Sequence, residues 1–423
     1  MPTRLASVAL LMAAPLLVGP CPGGSPPDKV PAAGAGAKPW QVGTPIVTYW
    51  AGPPLTDAVA RQMAEGGFNL VWCGEKELDT ARRHGLRAQL TSELLNPAVL
   101  DDPGRRKQLD GLIDRVRDHP ALYSYFLTDE PSAGDFARWG RLVAYLRERD
   151  PAHLGYINLF PTYATNQQLG TTGEKVPAYR EHLRQYLDVV KPALISYDHY
   201  QFAVGGDKED YFLNLAIIRE AARKAGLPFL NIVQACTWDP AMRVPTGEEL
   251  RFLASTTLAY GAQGLAYYVY CTAGHTGGMA LPDGKPTPLY EAARPINREF
   301  AAAARQLQPL VSLGVYHAGM APPGSEPIPA DAAFRLDPAL PAVEYRPPER
   351  VRGALISTFG RDAKATHAVV VNLDYKAPLS TSVVGSGPLE VFDAATGTWS
   401  AAGGPRAAVV LPPGGMRLVR TAR

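Results

Sequence analysis

From Pro45 to about Leu310, short apolar or aromatic runs alternate with longer stretches whose apolar residues recur every three or four positions. The short runs predict strands over 46–50, 69–73, 87–91, 122–127, 155–159, 194–197, 229–234 and 264–270. The longer stretches predict helices over 56–65, 78–84, 105–118, 134–149, 179–190, 211–225, 246–260 and 288–308. Gly66 or Gly67, Gly85 and Gly226 stop helices just before strands two, three and seven. Pro151, Pro192 and Pro228 do the same by excluding helical backbone from the residue ahead of them. Eight such alternations predict an α/β protein built as a (β/α)8 TIM barrel over 44–310. An open doubly wound sheet is the alternative. It calls for a glycine-rich phosphate loop after the first strand, and the loop present there is Ala51-Gly52-Pro53-Pro54.

Past Val311 the helical period disappears. Short strand-like runs over 354–358, 368–373, 389–392 and 408–411 are separated by Gly, Pro, Asp and Ser. The end, Pro412 to Arg420, reads as a turn and a last strand. This predicts a small antiparallel β-sandwich over 311–423.

The first residues have a different character. Arg4 precedes an apolar run over 8–18 that is too short to span a bilayer, which is the pattern of a secretory signal peptide over 1–21. An exported protein is expected: periplasmic, cell-surface or extracellular. Cys21 follows Leu-Leu-Val-Gly-Pro, a loose bacterial lipobox with Pro20 where a small residue is usual, so a lipid anchor and plain cleavage both stay open. Residues 22–43, rich in Pro, Gly and Ala, read as a flexible tether.

Net charge is +2 with acids and bases interspersed, and no basic stripe points to nucleic acid. Four cysteines are too few for a disulfide scaffold. Cys236 and Cys271 fall near the ends of neighbouring strands, where a bridge is conceivable, but two buried thiols are the simpler reading. The eight histidines and four cysteines show no metal-ligand spacing. No Gly-x-Ser-x-Gly elbow or phosphate loop occurs, so neither metal nor cofactor is expected. Nothing in the sequence sets an oligomeric state.

In a barrel of this kind, chemistry sits at strand C-termini. Leu122 to Pro131 reads Leu-Tyr-Ser-Tyr-Phe-Leu-Thr-Asp-Glu-Pro, a core strand that ends in two carboxylates and is stopped by a proline. A helix-capping Asp129 with a solvated Glu130 is the plain alternative. Strand three ends at Glu93, strand five carries Asn158, and strand six runs into Asp198, His199 and Tyr200. Strand seven ends at Gln234 with Trp238 beyond it, and strand eight carries Tyr268. Polar groups beside aromatic planes describe a site for oligo- or polysaccharide: carboxylates and amides hold hydroxyls, and rings stack on C–H faces. Trp238 and Trp50 are the stacking candidates. Cleaving a glycosidic bond takes one carboxyl that protonates and one that stays ionised. Burial and the neighbouring Asp129 assign Glu130 the acid role. Asp198, flanked by aromatic groups able to orient it, is the expected partner, and Glu93 is a third candidate. Asp129, Glu93, Asn158, His199, Tyr200, Gln234, Trp238 and Tyr268 are expected to bind substrate. The glycine-rich run over 274–279 reads as a flexible loop over the rim.

His119-Pro120-Ala121-Leu122 leading to Asp129-Glu130-Pro131 resembles the fourth strand of the retaining (β/α)8-barrel glycoside hydrolases, the superfamily of cellulases, mannanases and β-galactosidases. The passage from Glu248 through Tyr268 is similar to the helix and eighth strand of barrels related to family 42 β-galactosidases, and Pro-Gly-Gly-Met-Arg-Leu to their C-terminal β domains. The resemblance implies that Glu130 is the acid/base. It also implies a nucleophilic Glu closing strand seven, where this chain has Gln234. Three explanations stay open: a different register, a second carboxylate moved to Asp198, or a barrel that binds glycans without cutting them. The second is favoured. The leading expectation is therefore an exported glycoside hydrolase, against a non-catalytic carbohydrate-binding surface protein and a barrel lyase or other hydrolase.

Overall fold

The computed structural model describes residues 45–422. The expected signal peptide, tether and Cys21 lie outside these residues. Eight parallel strands run β1 Ile46–Trp50, β2 Leu70–Cys73, β3 Arg87–Leu90, β4 Leu122–Asp129, β5 Leu154–Leu159, β6 Ile195–His199, β7 Phe229–Gln234 and β8 Gly264–Tyr268. Their order around the sheet is β1-β8-β7-β6-β5-β4-β3-β2. The β1–β2 seam is closed by Asn69 and Thr48: Asn69 N–H donates to Val47 O at 2.9 Å, its side-chain oxygen accepts from Val47 N at 2.9 Å, and the Thr48 hydroxyl donates to Leu70 O at 2.9 Å.

Helices α1 Asp57–Glu65, α2 Leu78–Arg83, α3 Pro103–Val116, α4 Phe136–Arg149, α5 Lys175–Gln185, α6 Tyr211–Ala225, α7 Gly247–Ala259 and α8 Pro288–Leu307 surround the sheet. Their boundaries have local causes. Thr246 caps α7 by accepting from Glu249 N, and Glu249 reaches back to Thr246 N, a capping box. Gly226 ends α6 with φ +66°, backbone that costs a glycine nothing.

The barrel interior is filled by Ile46, Leu70, Tyr123, Tyr156, Leu194, Leu230, Ile232 and Ala266. Above them Trp50 meets Trp72 at 4.7 Å and Phe126 at 5.5 Å between ring centres. This aromatic plug forms the floor of the C-terminal mouth, so Trp50 is half-buried packing.

The C-terminal region is a sandwich. Strands β9 Val311–Gly319, β10 Phe334–Asp337, β11 Gly353–Arg361, β12 Lys364–Asn372, β13 Leu379–Gly385, β14 Leu389–Asp393, β15 Thr398–Ala401, β16 Arg406–Leu411 and β17 Met416–Thr421 form a six-stranded sheet, β9-β11-β12-β17-β14-β15, facing the three-stranded β10-β13-β16. The sandwich packs on the barrel through one continuous apolar cluster containing Leu355, Phe359, Val369 and Met416 with Phe252, Tyr260 and Phe300. Polar ties add to it: Arg219 to Ser312 at 2.9 Å, and Tyr375 OH to Asp207 at 2.9 Å. Cys73, Cys236 and Cys271 are free thiols. Among the described residues no helix is long and apolar enough to cross a membrane.

Candidate active site

Three neighbouring strands build the centre. Their register sets Asp129 of β4 opposite Asn158 of β5, and Asn158 opposite Ser196 of β6. Two residues beyond Ser196, on the same face, comes Asp198. A register shift between Phe126 and Thr128 re-aims the end of β4, as bulges beside sites commonly do. Glu130 then leaves the sheet with φ +45°, left-handed backbone that costs a non-glycine residue on the order of 1 kcal/mol or more. Its N–H still donates to Asn158 O at 2.9 Å. The strained turn points the Glu130 side chain to Asp198, with which it shares a hydrogen bond.

Asn158 organises the acids. Its Nδ2 donates to Asp129 Oδ1 at 3.1 Å and to Asp198 Oδ1 at 2.9 Å. The two N–H bonds of one amide diverge by roughly 120°, which sets those oxygens about 5 Å apart. Asn158 Oδ1 accepts from Ser196 Oγ at 3.0 Å, and Ser196 meets Tyr156 OH at 2.7 Å. This chain fixes the amide so that its donors, not its acceptor, face the carboxylates. Asn158 was expected to hold sugar; it is 2 % exposed and both its N–H groups are spent on acids.

All three carboxyls are displaced upward. Desolvation is the largest cause at Glu130, followed by the charges of Asp198 and Asp129 and the hydrogen bond to Asp198. Desolvation also leads at Asp198, which the charge of Asp129 raises further, while Asn158, Glu130 and Tyr200 donate to it and oppose the rise. Asp129 is raised by desolvation and lowered by Asn158. Protein encloses Asp129 below and beside, yet it opens to water at the mouth. The Asn158 hydrogen bond opposes the rise, and the displacement of Asp129 is the smallest of the three. The proton of the cluster therefore rests on Glu130, with Asp198 accepting its hydrogen bond.

One wall is aromatic. Trp238, 40 % exposed, lies 4.8 Å from Tyr268 and 5.0 Å from Tyr200 between ring centres. His275 packs on Trp238 at 5.6 Å, and its Nε2 lies 3.2 Å from Tyr268 OH. The loop bearing His275 was expected to be flexible. It is pinned instead: Thr276–Gly277 pairs with Cys236–Thr237, and Gly278 N–H donates to Ala235 O at 2.8 Å.

Three expected site residues lie elsewhere. Gln234 is fully buried: its Oε1 accepts from Phe202 N at 2.7 Å, and its Nε2 donates to Phe202 O at 3.1 Å and Arg243 O at 2.7 Å. It closes β7 as expected, but an amide stands there because two backbone carbonyls require a donor. His199, also fully buried, turns outward to Asn214 Oδ1 at 3.0 Å on α6, and burial pulls its imidazole down to about 4. Strand alternation puts it on the face opposite Asp198. Glu93 is exposed on the loop after β3 and, among the described residues, makes no hydrogen bond with the three carboxyls. Sequence reading missed Ser196, Trp72, Tyr163 and Lys208. Ser196 alternates with Asp198 on one strand face, which was a usable sign.

Among the described residues no group of three His, Cys, Asp or Glu side chains is arranged to hold a metal ion. No family model matches the chain, and neither does any curated protein. Solved structures similar to it are TIM-barrel glycoside hydrolases. A GH27 β-L-arabinopyranosidase from Geobacillus stearothermophilus is 10% identical with a TM-score of 0.45, over 90% of this chain and 98% of that one. Xylanase 10B from Thermotoga maritima is 10% identical with a TM-score of 0.39, over 62% of this chain and 97% of that one. A GH99 endo-α-mannosidase from Bacteroides thetaiotaomicron is 14% identical with a TM-score of 0.39, over 59% and 80%. These are likenesses of fold and bring no activity to this chain.

Proposed function

We propose that this protein is an exported glycoside hydrolase acting on oligo- or polysaccharides by carboxylate acid/base catalysis. Export rests on the charged and then apolar N-terminal run. The observation that carries the activity is the convergence of Glu130, Asp129 and Asp198 at the ends of neighbouring strands, with Glu130 turned to Asp198 and its carboxyl raised by burial and by the charges of the two aspartates. A carboxylic acid kept protonated toward neutral pH can protonate a departing glycosidic oxygen.

The roles divide by access. Glu130 is the acid. Asp129, least perturbed and open to the mouth, is the ionised carboxylate that meets the sugar or its attacking water. Asp198 is only 2 % exposed and is engaged by Asn158, Tyr200 and Glu130. It acts through Glu130, as a positioning carboxylate that accepts the hydrogen bond of the protonated acid. The direct Glu130–Asp198 hydrogen bond supports this division, because working carboxyl pairs stand about 5–5.5 Å or about 6.5–9.5 Å apart.

Incubation with a panel of oligosaccharides and aryl glycosides, with product analysis, tests the reading. Turnover by the native chain is expected. Oligosaccharide binding without any turnover would instead establish the non-catalytic carbohydrate-binding reading.

Asn158→Ala removes the donor that sets the spacing of the two aspartates. A loss of kcat of about 10²-fold is expected, the scale of a small misplacement of reacting groups. Both aspartates lose a bond that favours their ionised form. The acid limb of the pH–rate profile should therefore move to higher pH, which a purely structural lesion would not produce.

A further inference from the structure

Among the described residues, the Lys208 ammonium lies within electrostatic reach of this acidic bowl. Lys208 lies on the segment between β6 and α6, where Phe202–Ala203 pairs with Gly206–Asp207. Its backbone N–H donates to Gln201 O at 3.0 Å, and its side chain folds over Tyr163, with Nζ 3.7 Å from the ring centre. The Tyr163 ring packs on His199 at 5.0 Å, and its hydroxyl accepts from Tyr200 N at 3.3 Å. Tyr200 in turn donates to Asp198. Two aromatic residues thus connect the ammonium to Asp198, the carboxylate that accepts the hydrogen bond of Glu130.

Lys208 is half-buried and makes no ion pair within 4 Å among the described residues. The acids that act on it through charge are Asp210, Asp198 and Asp239. Each is engaged by another donor. Asp210 takes Lys175 Nζ at 2.9 Å and the Thr162 hydroxyl at 2.9 Å. Asp198 takes Asn158 at 2.9 Å, and Asp239 takes Ala241 N at 2.8 Å. An ammonium carries three donors. Partial desolvation without an ion pair is unfavourable, and the ring beneath recovers only on the order of 1 kcal/mol. The three donors of Lys208 are therefore left to water or to a ligand.

The occupant has a chemistry. Two ionised aspartates repel any anion that enters the bowl, so an acidic sugar would be rejected unless a cation met it. Lys208 is such a cation, half-buried over Tyr163 and within electrostatic reach of Asp198. We propose that Lys208 is an anion-recognising subsite and that the substrate is an acidic glycan, whose carboxylate or sulfate group seats on its ammonium. This rests on the glycoside hydrolase reading above.

The test uses the full chain and matched oligosaccharide pairs: uronate-containing chains against their carboxyl-reduced forms, and sulfated chains against their desulfated forms. Binding to the Glu130→Gln variant is followed by calorimetry, and turnover with the native chain. Preference for the anionic member of one pair is expected, and the pair that shows it identifies carboxylate or sulfate. Lys208→Met keeps an apolar stem over Tyr163 and should cut the ratio of anionic to neutral affinity by about 10- to 100-fold. Lys208→Arg should retain most of that ratio, and added salt should erode it. Cleavage of neutral chains as readily as anionic ones, with the ratio unmoved by Lys208→Met, overturns the subsite and leaves the hydrolase intact. Binding of all chains with cleavage of none removes the hydrolase while the ratio still judges the subsite. No binding and no turnover by any chain removes both.

Discussion

Replacing Glu130 with glutamine is expected to lower kcat on oligosaccharides by about 10²- to 10⁴-fold, the usual worth of a general acid. Glutamine keeps the shape of the side chain and can still donate to Asp198, so the fold should persist. Aryl glycosides with acidic leaving groups need little protonation and should suffer far less. The alkaline limb of the pH–rate profile belongs to Glu130 losing its proton, and it should vanish in the variant. A stability effect of opposite sign should accompany the loss. The folded-state pKa of Glu130 lies above its ordinary value. The native state therefore binds more protons than the unfolded chain, and stability falls as pH rises from the ordinary carboxylate range toward the raised value. Glu130→Gln removes that penalty, and Tm should rise by roughly 2 °C or more at pH 8, and by less at pH 5. Undiminished oligosaccharide turnover would dismiss Glu130 as the acid.

Asp129→Asn is expected to be the second severe lesion, with kcat reduced on the order of 10³- to 10⁴-fold. Its companion, Asp198→Asn, should behave differently. Asp198 raises Glu130 by its charge and by accepting its hydrogen bond. Without that charge Glu130 ionises earlier, so the alkaline limb should shift to lower pH while measurable turnover remains at the new optimum. If Asp198→Asn abolishes turnover at every pH and Asp129→Asn leaves most of it, the two aspartates exchange roles. A small anion such as azide, added to each variant, gives a second reading: it restores turnover where the missing carboxylate was the attacking group.

Much of the barrel was legible because its strands are short apolar runs between helix stops. The predicted 46–50 and 229–234 agree with β1 and β7 at both ends, and α6 begins and ends where its periodicity did. In the sandwich, β9, β10, β13 and β15 escaped notice. Leu-Ser-Thr-Ser-Val-Val-Gly and Thr-Trp-Ser-Ala carry few apolar side chains, and sheet pairing alone makes them strands. The rim was legible only as a set of residues at strand ends. Asp129, Glu130, Asp198, Tyr200, Trp238 and Tyr268 come together because register and strand alternation bring them there. Which amide faces the bowl was not legible. Asn158 and Gln234 both close barrel strands, and only the partners of their side chains separate the amide that organises acids from the one that holds backbone. Lys208 stayed invisible because its place depends on a loop folding back over Tyr163.

The sealed environment of Gln234 has a consequence for substitution. A carboxylate at that position would face the carbonyls of Phe202 and Arg243, two acceptors with nothing to offer an anion. Gln234→Glu would thus install a misfit rather than an attacking group. An acidic seventh strand is therefore more than one substitution away from this barrel. Placing an acid there requires rebuilding the segments that now rest on the amide, so the scaffold itself holds the end of the seventh strand neutral.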